Sequence, residues 1–197
     1  MKNRNDIFGP GSNIKKRYIK DHAKLELIIH GLRKVFRKIK IVLTMGTFDI
    51  LHIGHSRYLE CAKQHGDILV VGVDSDEKVR KRKGPNRPVV PAEERTEMLT
   101  HTRHVDIVTD KNEADPKWHL IKLVKPDVLI ATAETYDEVE LERLKEFCGK
   151  VAVLEPQALT STTAKLRRLH MKVAEEMMLG LDNLIKNAIE KASGKNP

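Results

Sequence analysis

The chain has 197 residues, with 36 Lys+Arg against 28 Asp+Glu, a formal net charge of +8, 40% apolar residues and 4% aromatic. At roughly 150 residues per domain this is one domain with extensions, and such a chain buries about 70% of its unfolded surface without disulfide staples. Cys61 and Cys148 fit neither a disulfide framework nor a Cys-x-x-Cys metal pattern, no apolar run is long enough for a membrane span, and the polar start lacks a secretory core, so the expected location is the reducing cytoplasm.

Met1 to Asn13 is poor in apolar residues and reads as a flexible arm. Residues 14–39 form a basic amphipathic helix, in which Leu25, Ile28, Ile29, Leu32, Val35 and Phe36 recur at spacings of three and four opposite Lys24, Arg33, Lys34 and Arg37. The first 40 residues hold 12 basic and 3 acidic side chains, a net of +9, and the rest hold 24 and 25, a net of −1. The positive charge therefore belongs to an appendage. Three roles suit its helix: docking on the body, helping a dimer, or peripheral contact of residues 24–40 with an anionic membrane or RNA. Aromatic residues interleaved with the basic ones are absent, which disfavours nucleic acid as a partner.

Beyond residue 39, five short β-branched runs alternate with helical stretches. The runs are Ile41–Met45, Ile68–Val73, Val105–Thr109, Val128–Ala131 and Val151–Leu154. Helices are predicted at Ile53–Gln64, Glu93–Thr100, Pro116–Val124 and Asp137–Phe147, with a short one near Asp76–Arg80. This pattern predicts an α/β fold, a doubly wound five-stranded parallel sheet with helical N- and C-terminal extensions and a ligand site at the carboxyl ends of the strands. The α/β domain is placed at 40–168. From Thr163 to Ala192 one long helix is expected, with an apolar stripe through Leu169, Val173, Met177, Leu181 and Leu184, and residues 169–197 are assigned to a C-terminal extension.

The most informative segment runs from Met45 to His55, out of the first strand and into the first helix. Gly46 permits a tight turn, Gly54 lets a ligand approach the helix start, and the positive end of the helix dipole favours an anion there. His52 and His55, three residues apart, can both address that anion, an arrangement suited to phosphoryl or nucleotidyl transfer.

Gly46-Thr47-Phe48-Asp49-x-x-His52-x-Gly54-His55 resembles the signature of cytidylyltransferase-like nucleotidyltransferases. Three further segments resemble the family in order. Val79 to Arg95, with its Lys-Gly and Pro-Val-Val-Pro, is similar to bacterial heptose-phosphate adenylyltransferases and archaeal FAD synthetases; Arg103-His104-Val105-Asp106 is similar to glycerol-3-phosphate cytidylyltransferases; Ser161-Thr162-Thr163 opens the last helix. The resemblance implies a Rossmann-like nucleotidyltransferase fold in which His52, His55 and Lys83 are catalytic. Gly46, Thr47, Phe48, Gly54, Ser161, Thr162 and Thr163 would hold the nucleotide, and Asp49, Lys81, Arg95 and Asp106 would meet the acceptor or phosphates. It also implies Mg²⁺ bound through the triphosphate rather than by protein side chains, a nucleoside triphosphate with CTP slightly ahead of ATP, a phosphorylated polyol, sugar or amino alcohol as acceptor, and a homodimer. Two segments depart from the family. The turn at Ala131–Asp137 lacks the Gly-rich, Asp-containing pattern, and Pro156–Thr160 lacks a phosphate-binding Arg. The first of these supports the alternative of a nucleotide-binding regulatory or adaptor protein with no turnover.

Overall fold

The structure, a computed structural model, describes residues 14–132, 135–155 and 162–192, with side chains in the last stretch for 168–185. The chain divides into two compact units, residues 1–158 and 159–197.

The first unit is built on five parallel strands, β1 (Ile41–Gly46), β2 (Ile68–Asp74), β3 (Ile107–Lys111), β4 (Val128–Ala131) and β5 (Lys150–Val153), in the order β3-β2-β1-β4-β5. The expected doubly wound sheet is present. The chain starts at the centre, winds outward through β2 and β3, and returns to the other side of β1 for β4, so the switch point lies between β1 and β4. The register aligns Ile41 with Ile68 and Val42 with Val128.

Strand alternation divides the core into two layers. Ile41, Leu43, Ile68, Val70, Ile107 and Leu129 point to one face, where they meet α2 (His22–Val35), α6 (His119–Val124) and α7 (Glu138–Leu144). Val42, Leu69, Val71, Val108 and Ile130 point to the other, against α3 (Ile53–Lys63) and α5 (Ala92–Thr100). Burial on both faces explains why the strands read as continuous apolar runs rather than alternating ones.

The basic N-terminal helix is broken, and its second part docks on the body. A single turn, α1 (Ile14–Arg17), gives way at Tyr18, which bridges to Val108 and so covers the outer edge of β3. Asp21 then caps α2 by accepting from the amides of Ala23 and Lys24. Leu25 and Ile29 are buried in the core, whereas Val35 and Phe36, expected on the same stripe, are exposed. Arg33 donates to the carbonyls of Val124 (3.1 Å) and Lys125 (2.6 Å) at the end of α6. A cation there satisfies terminal carbonyls and the negative end of the helix dipole.

The second unit is α8 (Thr162–Ala192), one helix as expected. Its apolar stripe, from Leu169 through Val173, Met177 and Leu181 to Leu184, is exposed. Among the described residues no helix is long and apolar enough to cross a membrane.

Candidate active site

The carboxyl edge of the sheet carries the chemistry-bearing turn. Leaving β1, the chain passes through Phe48 (φ 52°) and Ile50 (φ 47°), two non-glycine residues in the left-handed region. Such conformations are costly, most of all for β-branched Ile50. They are held because the turn is fixed from several sides. Thr47, Phe48 and Asp49 are all buried, and a side chain at Gly46 would meet the Phe48 ring at 3.2 Å. A side chain at 46 would need the ring folded over it to shift by a few tenths of an ångström.

His52 is the N-cap of α3, and the two histidines form a capping box. His52 Nδ1 accepts from the Gly54 amide at 3.1 Å, and His55 Nδ1 accepts from the His52 amide at 3.3 Å. Their rings lie 4.1 Å apart between centroids, and the Phe48 ring is 5.7 Å from that of His55. A neutral imidazole whose Nδ1 accepts carries its proton on Nε2. The backbone therefore fixes both tautomers and makes both Nε2 atoms donors. The Gly54 amide, expected from the sequence to face an anion, is instead engaged in the cap.

Behind this turn lies a charged cluster that joins Thr47 to Asp74, Arg82 and Lys111, three residues to which the sequence assigned no individual role. Asp74, at the end of β2, is fully buried. Its Oδ2 accepts from Arg82 Nη2 (2.8 Å) and from the Thr47 hydroxyl (3.3 Å), and Lys111 Nζ lies 3.3 Å from Oδ1. Arg82 also donates to the Thr47 hydroxyl at 2.8 Å. Asp49 is also buried. It accepts from Arg87 (2.8 Å) and from the amides of Val89 and Val90 (3.1 and 3.0 Å), and so pins the 87–90 segment against the turn. Burial alone would raise its pKa, but the amides of Val90 and Val89 and the Arg87 guanidinium outweigh that and hold the carboxyl below its ordinary value.

Arg95 is likewise a framework residue, only 1% exposed. Its guanidinium donates to the carbonyls of Thr47, Val90 (2.8 Å) and Asp74 (2.9 Å), and to the Asp76 carboxylate (2.6 Å). It ties the β1 turn to the end of β2 and to the start of α4 (Asp76–Lys83).

The helix α4 extends three residues beyond the short helix expected, and its periodicity sorts the basic run. Val79 is buried, so Arg82 and Lys83, three and four residues on, share its face. Lys83 ends near Arg82, Arg87, Asp74 and Asp49. Partial desolvation, then repulsion from Arg82 and Arg87, lowers its pKa from the ordinary lysine value. Lys81 points elsewhere, to the surface, where it pairs with Glu113.

Asp106 is also placed away from the site. It precedes β3 and accepts from the Leu69 amide (2.7 Å) at the start of β2, with Lys63 as its ion-pair partner. That is the amino edge of the sheet, opposite the histidines. Ser161 lies outside the described residues. Thr162 and Thr163 open α8, and their side chains lie outside the described set. In the departing 131–137 turn, residues 133 and 134 lie outside the described set, Thr132 and Thr135 share a 2.6 Å hydroxyl contact, and Asp137 caps α7.

Beside the switch point, a cavity of about 230 Å³ is lined by Met45, Tyr136 and Trp118 together with Lys78, Arg82, Lys111 and Lys117. Each of the four cations has a carboxylate partner: Lys78 with Glu113, Arg82 and Lys111 with Asp74, and Lys117 with Glu140.

The model of the family described as cytidylyltransferase-like matches residues 43–187. The chain is 47% identical over 113 residues to the bifunctional protein HldE of a Nitratiruptor species, covering 57% of this chain and 24% of that protein. It is 37% identical over 152 residues to the bifunctional protein HldE of Helicobacter pylori, covering 76% and 32%. The chain thus spans about a quarter to a third of the length of these curated relatives. Among solved structures, a lipopolysaccharide core biosynthesis protein from Thermoplasma volcanium matches with a TM-score of 0.54 and 30% identity, over 60% of this chain and 98% of that one. A pantoate-beta-alanine ligase from Francisella tularensis matches with a TM-score of 0.52 over 70% and 66%, and at 16% identity it shows the fold alone. With a family model matching well over half of its length, on a doubly wound parallel sheet whose first turn carries the two-histidine cap, the chain belongs to the cytidylyltransferase-like family.

Proposed function

We propose that this chain is a nucleotidyltransferase that joins a nucleoside triphosphate to a phosphorylated sugar or polyol. An oxygen of the acceptor phosphate attacks the α-phosphorus; the bond from that phosphorus to the bridging oxygen breaks, and pyrophosphate leaves with the electron pair. The observation that carries this reading is the capping box, which presents two imidazole donors at the end of β1. Donors held in place before reaction are what a developing phosphoryl charge needs. Lys83 supplies mobile positive charge on the same edge.

The donor set suits Mg²⁺ carried on the triphosphate. Asp74 and Asp49 at this edge are already paired with Arg82, Lys111 and Arg87, so the phosphate oxygens are the natural hard ligands. When bound, the ion neutralises phosphate charge.

For the base, we put ATP ahead of CTP, reversing the expectation from sequence. The lean to CTP rests on Arg103–Asp106, and Asp106 lies at the opposite edge of the sheet. The segment that leans to ATP is fastened to the site by Asp49 through Val89 and Val90. The sugar-phosphate acceptor is supported by the likeness to the Thermoplasma protein, which is named for lipopolysaccharide core biosynthesis. Pyrophosphate release from ATP, CTP, UTP and GTP with a panel of phosphorylated sugars and polyols tests the reading. Binding of a nucleotide, seen as a raised melting temperature, with no release for any pair would instead support the regulatory alternative.

Nucleotide affinity will fall as pH rises through the lowered Lys83 pKa, since only the ammonium form attracts phosphate, and Lys83→Arg will keep its affinity over that range. A titration of affinity against pH in which both proteins decline together removes Lys83 from the phosphate contact. The exposed stripe of α8 suits a homodimer. Sedimentation at micromolar concentration should give a dimer for the native chain and a monomer for Leu181→Glu, and a native monomer refutes self-association.

A further inference from the structure

Away from the capping box, three potential metal ligands converge from three parts of the chain. His22 is the first residue of α2, His119 the first of α6, and Asp115 lies in the loop before α6. One donor atom from each lies within 4.8 Å of the other two. His22 Nδ1 and His119 Nε2 share a hydrogen bond of 3.0 Å, a separation close to the edge of about 3.3 Å that a tetrahedral zinc with bonds of 2.0–2.1 Å requires once it replaces the shared proton. His22 Nε2 lies 2.9 Å from the Asp110 carbonyl. A carbonyl only accepts, so Nε2 holds the proton and Nδ1 turns its lone pair toward His119. That is the outer hydrogen bond that orients a metal-ligating histidine. Asp115 Oδ2 is steadied by the Asn112 amide at 2.6 Å.

We propose that His22, Asp115 and His119 form a zinc site, distinct from the two-histidine cap, that fastens the N-terminal segment to the wall of the cavity. Two imidazoles and a carboxylate select zinc-type ions over Mg²⁺. Asp115 and His119 also line the cavity, so water or an anion from the cavity completes the tetrahedron. The N-termini of two helices face the ion and oppose a cation, which makes the Asp115 carboxylate indispensable.

The test uses the full chain stripped with EDTA and titrated with ZnCl₂, and separately with CoCl₂ for its visible absorption. One equivalent should bind, Co²⁺ should show the intense bands of a tetrahedral site, and the melting temperature should rise by roughly 5–10 °C at about 100 times the dissociation constant. His22→Ala, His119→Ala and the near-isosteric Asp115→Asn should each weaken binding at least about 10-fold, while a His52→Ala, His55→Ala double variant keeps the equivalent. Far-ultraviolet circular dichroism in EDTA reports whether each variant is folded, and Asp115→Asn decides if a histidine variant is not. Unchanged affinity in folded Asp115→Asn, loss of the equivalent in the His52, His55 variant, or no binding by the native chain overturns the proposal.

Discussion

Replacing His55 with alanine will lower turnover by about 10²–10³-fold, about 2.7–4 kcal/mol of transition-state stabilisation. The ring has two roles, and the measurement separates them. His55 Nδ1 accepts from the His52 amide and completes the cap, so its loss also costs about 1 kcal/mol of stability, or roughly 2–4 °C in melting temperature. In the proposed reaction the catalytic donor is Nε2, whose proton the cap fixes in place. The expected signature is therefore a large fall in kcat with a small fall in melting temperature and little change in nucleotide KM. Near-normal kcat with the true substrates would show that the imidazole serves only as a cap. His52→Ala should behave alike and combine less than additively with it, since each ring orients the other.

The second large effect is on folding. Arg95→Ala will destabilise the protein by about 3–5 kcal/mol, because removing one partner of a buried ionic network leaves the others uncompensated. The carbonyls of Thr47, Val90 and Asp74 and the carboxylate of Asp76 would lose their shared donor, a guanidinium that is itself only 1% exposed. At about 2–4 °C per kcal/mol the melting temperature falls by roughly 6–20 °C. Arg95→Lys should recover only part of this, since one ammonium cannot span four acceptors that a planar fork reaches together. Thermal and denaturant unfolding measure the change. A variant within about 0.5 kcal/mol of the native protein would mean that other groups hold the β1 turn.

The residues that sequence reading misplaces share a cause. Lys81 stands in a basic run that looks equally suited to phosphate throughout, and only the extension of α4 to Lys83 assigns one face to Arg82 and Lys83 and the other to Lys81. Asp106 reads as lying inside a strand beginning at Val105. Once β3 begins at Ile107, Asp106 precedes it, and in a parallel sheet every residue before a strand lies at the amino edge. Arg95 reads as an acceptor contact because arginine in a nucleotide enzyme suggests phosphate. Its actual partners are carbonyls from three separate segments, which no local pattern announces. The N-terminal helix is legible as amphipathic, yet its break at Tyr18 comes from pairing with Val108, a contact across 90 positions.

The sequence by itself determined the strands, their order of connection and the histidine turn. These depend on local and periodic features: continuous β-branched runs, helical spacing, and a glycine-flanked His-x-Gly-His where a strand gives way to a helix. Tertiary structure alone decided which polar groups act together. Asp74 with Arg82 and Lys111, Asp49 with Arg87, and His22 with His119 at a separation of 97 residues are pairings in which each partner is ordinary in its own segment. Their meaning arises from burial and distance, because a charge or an imidazole changes its role only when folding removes its water and supplies its partner.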